Sequence, residues 1–248
     1  MKKLISAKRF VLITALPLLL TGCDSEGYYD YYDNETIDWF LQLTSESYAV
    51  AEVAHGYEGT DGGAFFIKGD DRSADYTLPW DFDFYGVTVT EVRVDTNGHL
   101  WMGTGKKKTR SYNIKLPSYP VIAGYNGDID SKTWGDGVSI EEKTNPERVV
   151  FMWNTSHNDD DQEGKILQYE IVLYKDGDIR FNYDTNTISR ETCDDRSSGV
   201  SSGNGWDYTQ LTYNIYDPGE EGKLGTTTAC ELSGRSFLFR AIQVGVAP

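Results

Sequence analysis

From Tyr76 onward, apolar and polar residues alternate in short runs that end at Gly, Asp or Asn. A period of two places one face of a segment in a core and the other in water, which predicts strands. Leu78-Pro79-Trp80-Asp81-Phe82-Asp83-Phe84-Tyr85-Gly86 alternates and stops at a glycine. Val87 and Val89 continue against Thr88 and Thr90, and after a one-residue slip in phase Val92 and Val94 carry the strand on. Asn97-Gly98 then precedes His99-Leu100-Trp101-Met102-Gly103, a hairpin signal because both turn residues tolerate positive φ. Ile166–Tyr174 is a second clear strand, with Tyr169, Ile171 and Leu173 on one face. Asp176-Gly177 turns it into Ile179–Tyr183. Ala64–Ile67, Val121–Ala123, Val138–Ile140, Arg148–Trp153 and Ser236–Val244 read as further strands, as does Tyr48–Val53. Trp39–Leu43 fits a short helix or a strand. No stretch of helical period follows residue 45 and no internal repeat is visible. The pattern predicts an all-β chain, an antiparallel β-sandwich over residues 46–248.

The start of the chain reads differently. Lys2, Lys3, Lys8 and Arg9 precede an apolar run from Phe10 to Leu20, too short to span a bilayer, which takes about 20 apolar residues. A basic start, a short apolar core and small residues at the end describe a secretory signal peptide, residues 1–22. Leu20-Thr21-Gly22-Cys23 resembles the lipobox of bacterial lipoproteins, which implies cleavage before Cys23 and acylation, including palmitate, on it. Residues 23–45, acidic and rich in Tyr, fit a flexible tether. The expected location is the cell envelope, on the outer membrane or the periplasmic face of the inner membrane. Asp24 points to the inner membrane if enteric sorting applies.

Charge narrows the partners. Removing residues 1–22 leaves 19 basic against 39 acidic residues, a net charge of −20. Nucleic acid and anionic lipid headgroups both need clustered Lys and Arg, so neither is expected as an electrostatic partner. The exception is the run Lys106-Lys107-Lys108 with Arg110, read as a solvated loop. With Cys23 acylated, Cys193 and Cys230 remain, and an even pair in an exported protein reads as a disulfide. It would close a loop of 38 residues and add about 3–4 kcal/mol. Two free thiols or a metal pair are the alternatives.

Candidate chemistry is oxygen-rich. Asp159, Asp161, Glu163, Gly164, Ile166 and Glu170 fall at positions 1, 3, 5, 6, 8 and 12 of a calcium-loop spacing, without flanking helices. The calcium ligands would be Asp159, Asp161, Glu163 and Glu170. The competing reading is a solvated acidic hairpin loop. Asn126, Asp128, Asp130 and Asp136 form a second cluster; on a strand the first three share a face and could bind a cation or sugar hydroxyls. A polar loop rim is the plainer reading. Gly199-Val200-Ser201-Ser202-Gly203 fits the G-x-S-x-G pattern, but no helix-forming stretch follows it. No zinc, phosphate-loop or dinucleotide motif is present.

The order of several of these pieces resembles the nidogen-type β domain of extracellular adhesion proteins and bacterial secreted proteins. The resemblance lies in Leu78-Pro79-Trp80 through Phe84-Tyr85-Gly86, then Val92–Val94, Asn97-Gly98 and Leu100–Gly103. Val121 through Asp130 follows, then Tyr169–Tyr174 with Asp176-Gly177, Ile179, Phe181 and Tyr183, and finally Gly199–Gly203. It covers residues 60–205 and rests on turn and core residues, so it speaks to fold. It implies a nidogen-like sandwich, and the leading reading of the chain as a whole is a non-enzymatic recognition or adhesion module for protein or glycan. A polysaccharide hydrolase using an acid pair such as Asp128 and Asp130 is the alternative, and a structural envelope protein a third.

Overall fold

The computed structural model describes residues 47–59, 64–103, 114, 116–131, 137–157, 166–185, 197–212 and 232–242. They form two antiparallel sheets packed face to face. The first holds β1 (Ser47–Val53), β6 (Ile129–Asp130), β7 (Gly137–Thr144), β8 (Glu147–His157), β9 (Ile166–Tyr174), β10 (Ile179–Tyr183) and β13 (Ser236–Ile242). Its order is β1-β13-β10-β9-β8, and β6 and β7 follow one another along the free side of β8, so seven strands make a sheet six wide. The second holds β2 (Ser73–Phe84), β3 (Val87–Asp95), β4 (His99–Met102), β5 (Pro120–Asn126), β11 (Ser197–Ser202) and β12 (Tyr208–Thr212), in the order β12-β11-β5-β4-β3-β2. The sandwich expected from alternation is the fold observed.

Both turn signals form hairpins where the sequence places them. β3 and β4 meet around Asn97-Gly98, and β9 and β10 around Asp176-Gly177. The phase slip in β3 has a structural cause. The β2–β3 register breaks between Thr77 and Phe82, so the four residues Leu78–Asp81 stand opposite the single Thr90. Pro79, which has no N–H to donate, falls in that unpaired stretch. One expected strand does not form: of Ala64–Ile67, only Ile67 pairs, in a single bridge to Val138.

The core between the sheets is aromatic. Phe151 and Trp153, Tyr169, Ile171 and Leu173, Phe181 and Tyr183, and Phe239 face Phe82, Val92, Val94, Leu100 and Ile122. Trp153 stacks on Tyr169, with ring centres 5.2 Å apart and planes 5° from parallel. Polar tips of these rings cross to the opposite sheet. Trp153 Nε1 donates to the Asp95 carbonyl at 3.0 Å, and Tyr183 Oη to the Gly124 carbonyl at 2.7 Å. At one end Tyr48 Oη reaches the carbonyls of Asp83 and Gly177, both at 3.3 Å.

Alternation also fills the outer faces. Trp101, Val121 and Ala123 point away from the main core and pack with Ile114 and Leu116. They are capped by a short 3-10 turn, Leu116–Ser118. Two glycines allow the close approach of the layers. At Gly98 (φ +94°) a Cβ would collide with the Tyr125 carbonyl and meet Tyr169 Oη at 2.7 Å. At Gly124 it would meet the Tyr169 ring at 2.5 Å. Gly98→Ala therefore combines backbone strain with overpacking, and about 2–4 kcal/mol of stability should be lost. A urea midpoint that falls at constant m-value is the expected result.

Candidate functional site

The strand register defines two ends of the sandwich. Ser47, Ile242 and the β9–β10 turn lie at one. The β3–β4 hairpin, the β5–β6 turn and the segment Gly69–Arg72 lie at the other. This second end carries a partly exposed acidic group. Asp70, Asp71 and Asp128 each offer a carboxylate oxygen, and the three lie within 4.8 Å of one another. Asn97 builds the base. Buried at the hairpin tip, it accepts the Ile129 N–H at 3.0 Å and donates from Nδ2 to Asp71 Oδ1 at 2.9 Å. Arg72 N donates to Thr96 Oγ1 at 3.1 Å and Thr96 N to the Arg72 carbonyl at 2.9 Å. Ser131 clasps Gly69 by donating from Oγ to its carbonyl at 2.9 Å and accepting its N–H at 2.7 Å. Asp71 sits at φ +51°, a conformation most side chains avoid. A compact all-oxygen group of this kind suits a hard cation.

Just inside this end, on the outer face of the second sheet, lies a sealed polar network. His99 and Asp95 are 0% and 1% exposed. His99 Nδ1 faces the Asp95 carboxylate at 3.0 Å, and the Trp101 indole N–H also donates to that carboxylate. His99 Nε2 faces Asn126 Oδ1 at 3.0 Å. The Asn126 amide is itself oriented: Ile114 N donates to its Oδ1, and its Nδ2 donates to the Ile114 carbonyl and to Ser197 Oγ. Both ring nitrogens of His99 are thus engaged, one by the Asp95 carboxylate and the other by the Asn126 side chain. An Asp–His pair in contact with water could serve as a base; this one pins residue 114 to the sheet.

A second buried carboxylate performs the same task on the other sheet. Met152, Glu170, Asn182 and Ser236 form a row across β8, β9, β10 and β13. The segment after β1 lies over it. Gly56 N donates to Ser236 Oγ at 3.2 Å and Tyr57 Oη to Met152 Sδ at 3.1 Å. Glu58 N and Gly59 N donate to Glu170 at 3.0 Å and 2.6 Å, and Asn182 Nδ2 donates to it at 2.9 Å. Burial raises the Glu170 pKa above the ordinary carboxylate value, against the lowering effect of these donors. Burial also opposes ionisation of Glu58, but hydrogen bonds and charge from Arg148 and Lys143 outweigh it and hold Glu58 low.

The residues singled out from the sequence separate. Asn126 ends β5 and is buried in the His99 network, and the chain turns at Gly127-Asp128 before β6. Asn126 and Asp128 therefore do not share the face that a continuous strand would give them. Asp128 joins the acidic group at the loop end, and Asp130 lies in β6, paired with Ser156. Asp136, Asp159, Asp161 and Glu163 lie outside the described residues, as do Cys23, Cys193 and Cys230. Glu170, the last position of the calcium-loop spacing, is committed to Glu58, Gly59 and Asn182. Ser201 of the G-x-S-x-G pattern is buried in β11, which leads by a turn into β12. Asp70 and Asp71 were not picked out, because only tertiary pairing brings them to Asp128; Asn97-Gly98, visible as a turn, was the available signal.

A family model described as NIDO related matches residues 47–241. No curated protein and no solved structure matches the chain.

Two outcomes test the buried networks. His99→Leu leaves the buried Asp95 and Asn126 side chains without the ring that joins them and should cost about 1–3 kcal/mol in urea unfolding. Glu170 binds its proton more tightly folded than unfolded, so its contribution is fully present below the free glutamate value and is lost as pH rises through the raised one. The stability of the wild type minus that of Glu170→Gln should therefore fall with pH across that window; a flat difference would contradict the shift.

Proposed function

We propose that this chain, which belongs to the NIDO-related family, is the recognition module of a lipid-anchored cell-envelope protein, binding protein or glycan without catalysis. One observation carries the reading. Among the described residues, Asp95, His99 and Glu170, which carry chemistry that catalysis uses, are sealed and spent on holding segments to the sheets. A cluster of three partly open carboxylates, Asp70, Asp71 and Asp128, stands on a braced end, opposite the end where Ser47 begins the domain. A contact surface far from the attachment point and rigid beneath is what recognition asks for.

Cys23 provides the anchor in this reading, and residues 24–45 set its reach. The acidic chain is repelled by anionic headgroups, so the domain stands off the surface that holds it. Calcium is the cation that the all-oxygen group suits, and it would let an acidic domain engage an acidic or hydroxyl-rich partner. Cys193 and Cys230 pair in a disulfide. Thr185, Ser197, Thr212 and Leu232, which flank their two segments, all lie at the acidic end, and Gly234 N donates to the Asp184 carbonyl there.

Three measurements decide these points. Envelope fractions should hold the full chain with acyl mass on Cys23, and Cys23→Ala should release it as soluble protein; membrane retention of that variant would defeat the anchor. Calcium at about a hundredfold excess over its Kd should stabilise the domain by about 2.7 kcal/mol, and Asp71→Asn should abolish the gain. An equal Tm with and without calcium would remove the cation from the account. Crosslinking in intact envelopes should capture a defined partner or glycan; none in either calcium condition would overturn the recognition role.

A further inference from the structure

We infer that Ala54–Gly59 is a proton-controlled strap, which lies across the back of the first sheet and lifts from it, with the sandwich still folded, when the Glu170 carboxyl gives up its proton. This is independent of the recognition reading, because it concerns how the outer face of one sheet is covered and uncovered.

The strap leaves the end of β1 and crosses the first sheet from β13 and β10 to β7. Every hold on it involves a side chain. Arg180 Nη2 donates to the Ala54 carbonyl at 2.7 Å, and His55 Nε2 donates to the Tyr183 carbonyl at 3.0 Å. Gly56, whose N–H goes to Ser236, passes so close to Arg180 that a Cβ there would collide with the guanidinium. Tyr57 reaches Met152, and the N–H groups of Glu58 and Gly59 both end on Glu170. The Glu58 carboxylate takes Arg148 Nη2 at 2.7 Å and Lys143 Nζ at 3.3 Å, and Lys143 also donates to the Gly59 carbonyl at 3.4 Å. Among the described residues, no backbone group of the strap bonds to another backbone group. It therefore opens without breaking a rung of either sheet, a local opening that lies below global unfolding in free energy.

Glu170 is the fastening that a proton changes. With the strap in place it is 0% exposed. Burial raises its carboxyl above the ordinary glutamate value, against the pull of its donors. Opening admits water and returns the group to that ordinary value. The closed form thus holds the proton more tightly, so closure is favoured in full below the ordinary value and weakens as pH rises through the raised one. Asn182 suits both forms. Its Nδ2 donates to the carboxylate, and its Oδ1, which has no partner, would accept the carboxyl hydrogen after a half-turn of the amide. The neighbouring charges keep the sign. Glu58 on the strap repels the ionised Glu170, while Arg148 on β8 and Lys143 on β7 keep Glu58 itself ionised, with Glu141 beside Lys143. Tyr57 stays neutral, its phenol pushed up by burial and by the charges of Glu170 and Asp184. β10 and β13 bring Asn182 and Ser236 to the row, and Arg180 sits at the start of the strap. Once open, the row presents a carboxylate, an amide and a hydroxyl across β9, β10 and β13.

The test follows amide hydrogen exchange by NMR in the full chain over a range of pH, each rate being divided by that of the unfolded peptide. Protection of the Glu58 and Gly59 amides should fall by up to about tenfold per pH unit through the raised Glu170 value. Phe151 and Ile171, in the core, should keep theirs. Glu170→Gln, a fixed stand-in for the protonated side chain, should leave the strap amides protected with no such slope. Glu58→Gln, which loses the clasp of Arg148 and Lys143, should lower their protection at every pH and keep the slope. Should Glu170→Gln fail to fold, the carboxyl carbon shift of Glu170 in the wild type decides, and it should titrate above the ordinary glutamate range. Strap protection that ignores pH, a slope that survives in Glu170→Gln, core amides that lose protection in step with the strap, or a Glu170 titration at or below the ordinary value would each overturn the inference.

Discussion

The two sheets are held together by a core of large aromatic rings, and two of them carry polar tips that find partners on the far side. Trp153 and Tyr183 do so by donating to backbone carbonyls at Asp95 and Gly124. This works only where the facing backbone comes close, and Gly98 and Gly124 supply that closeness by having no Cβ. A buried indole or phenol without a partner would cost the desolvation of its polar group. The crossing bonds thus fix the spacing of the layers and the offset of one sheet on the other. The hairpin tip at Asn97, and with it the acidic end, follows from that offset.

A second constraint acts on the outer faces. Alternation leaves each sheet a back that short connecting segments must cover, and both are fastened by a buried acid. Asp95, through His99 and Asn126, holds residue 114, while Glu170 holds Glu58 and Gly59. These groups resemble the parts of catalytic sites, and their burial shows why residue type alone is a poor guide to role. The carboxylate that looks like a ligand at position 170 is a fastener, whereas those gathered at Asp70, Asp71 and Asp128 stay partly open to solvent.

Much of the fold was legible in the chain because strand period and turn chemistry are local. Tyr169, Ile171 and Leu173 on one face, the Asn97-Gly98 and Asp176-Gly177 hairpins and the slip near Thr90 all appear as read. Ala64–Ile67 misled because a four-residue apolar run says nothing about whether a neighbouring strand is available. The acidic end was half legible. Asp128 stood out in its cluster, but Asp70 and Asp71 lie more than fifty positions earlier, and Asn126 changed from a surface candidate to a buried one. Both facts depend on which backbone groups Asn97 and Ile114 offer, and that is a tertiary matter. The family match, spanning residues 47–241, is wider than the 60–205 over which motifs could be recognised. It extends over β1 and β13, which carry no turn signature.

β1 pairs with β13 from Ser47 opposite Ile242 to Val53 opposite Ser236, antiparallel and along the margin of the first sheet. A pull on the backbone ahead of Ser47, resisted at the distant Asp128 end, would run parallel to β1. Its rungs would then be loaded together in shear instead of opening one after another like a zip. A module hooked at one end and gripped at the other would in this way resist extraction by flow, a mechanical strength that equilibrium stability does not measure.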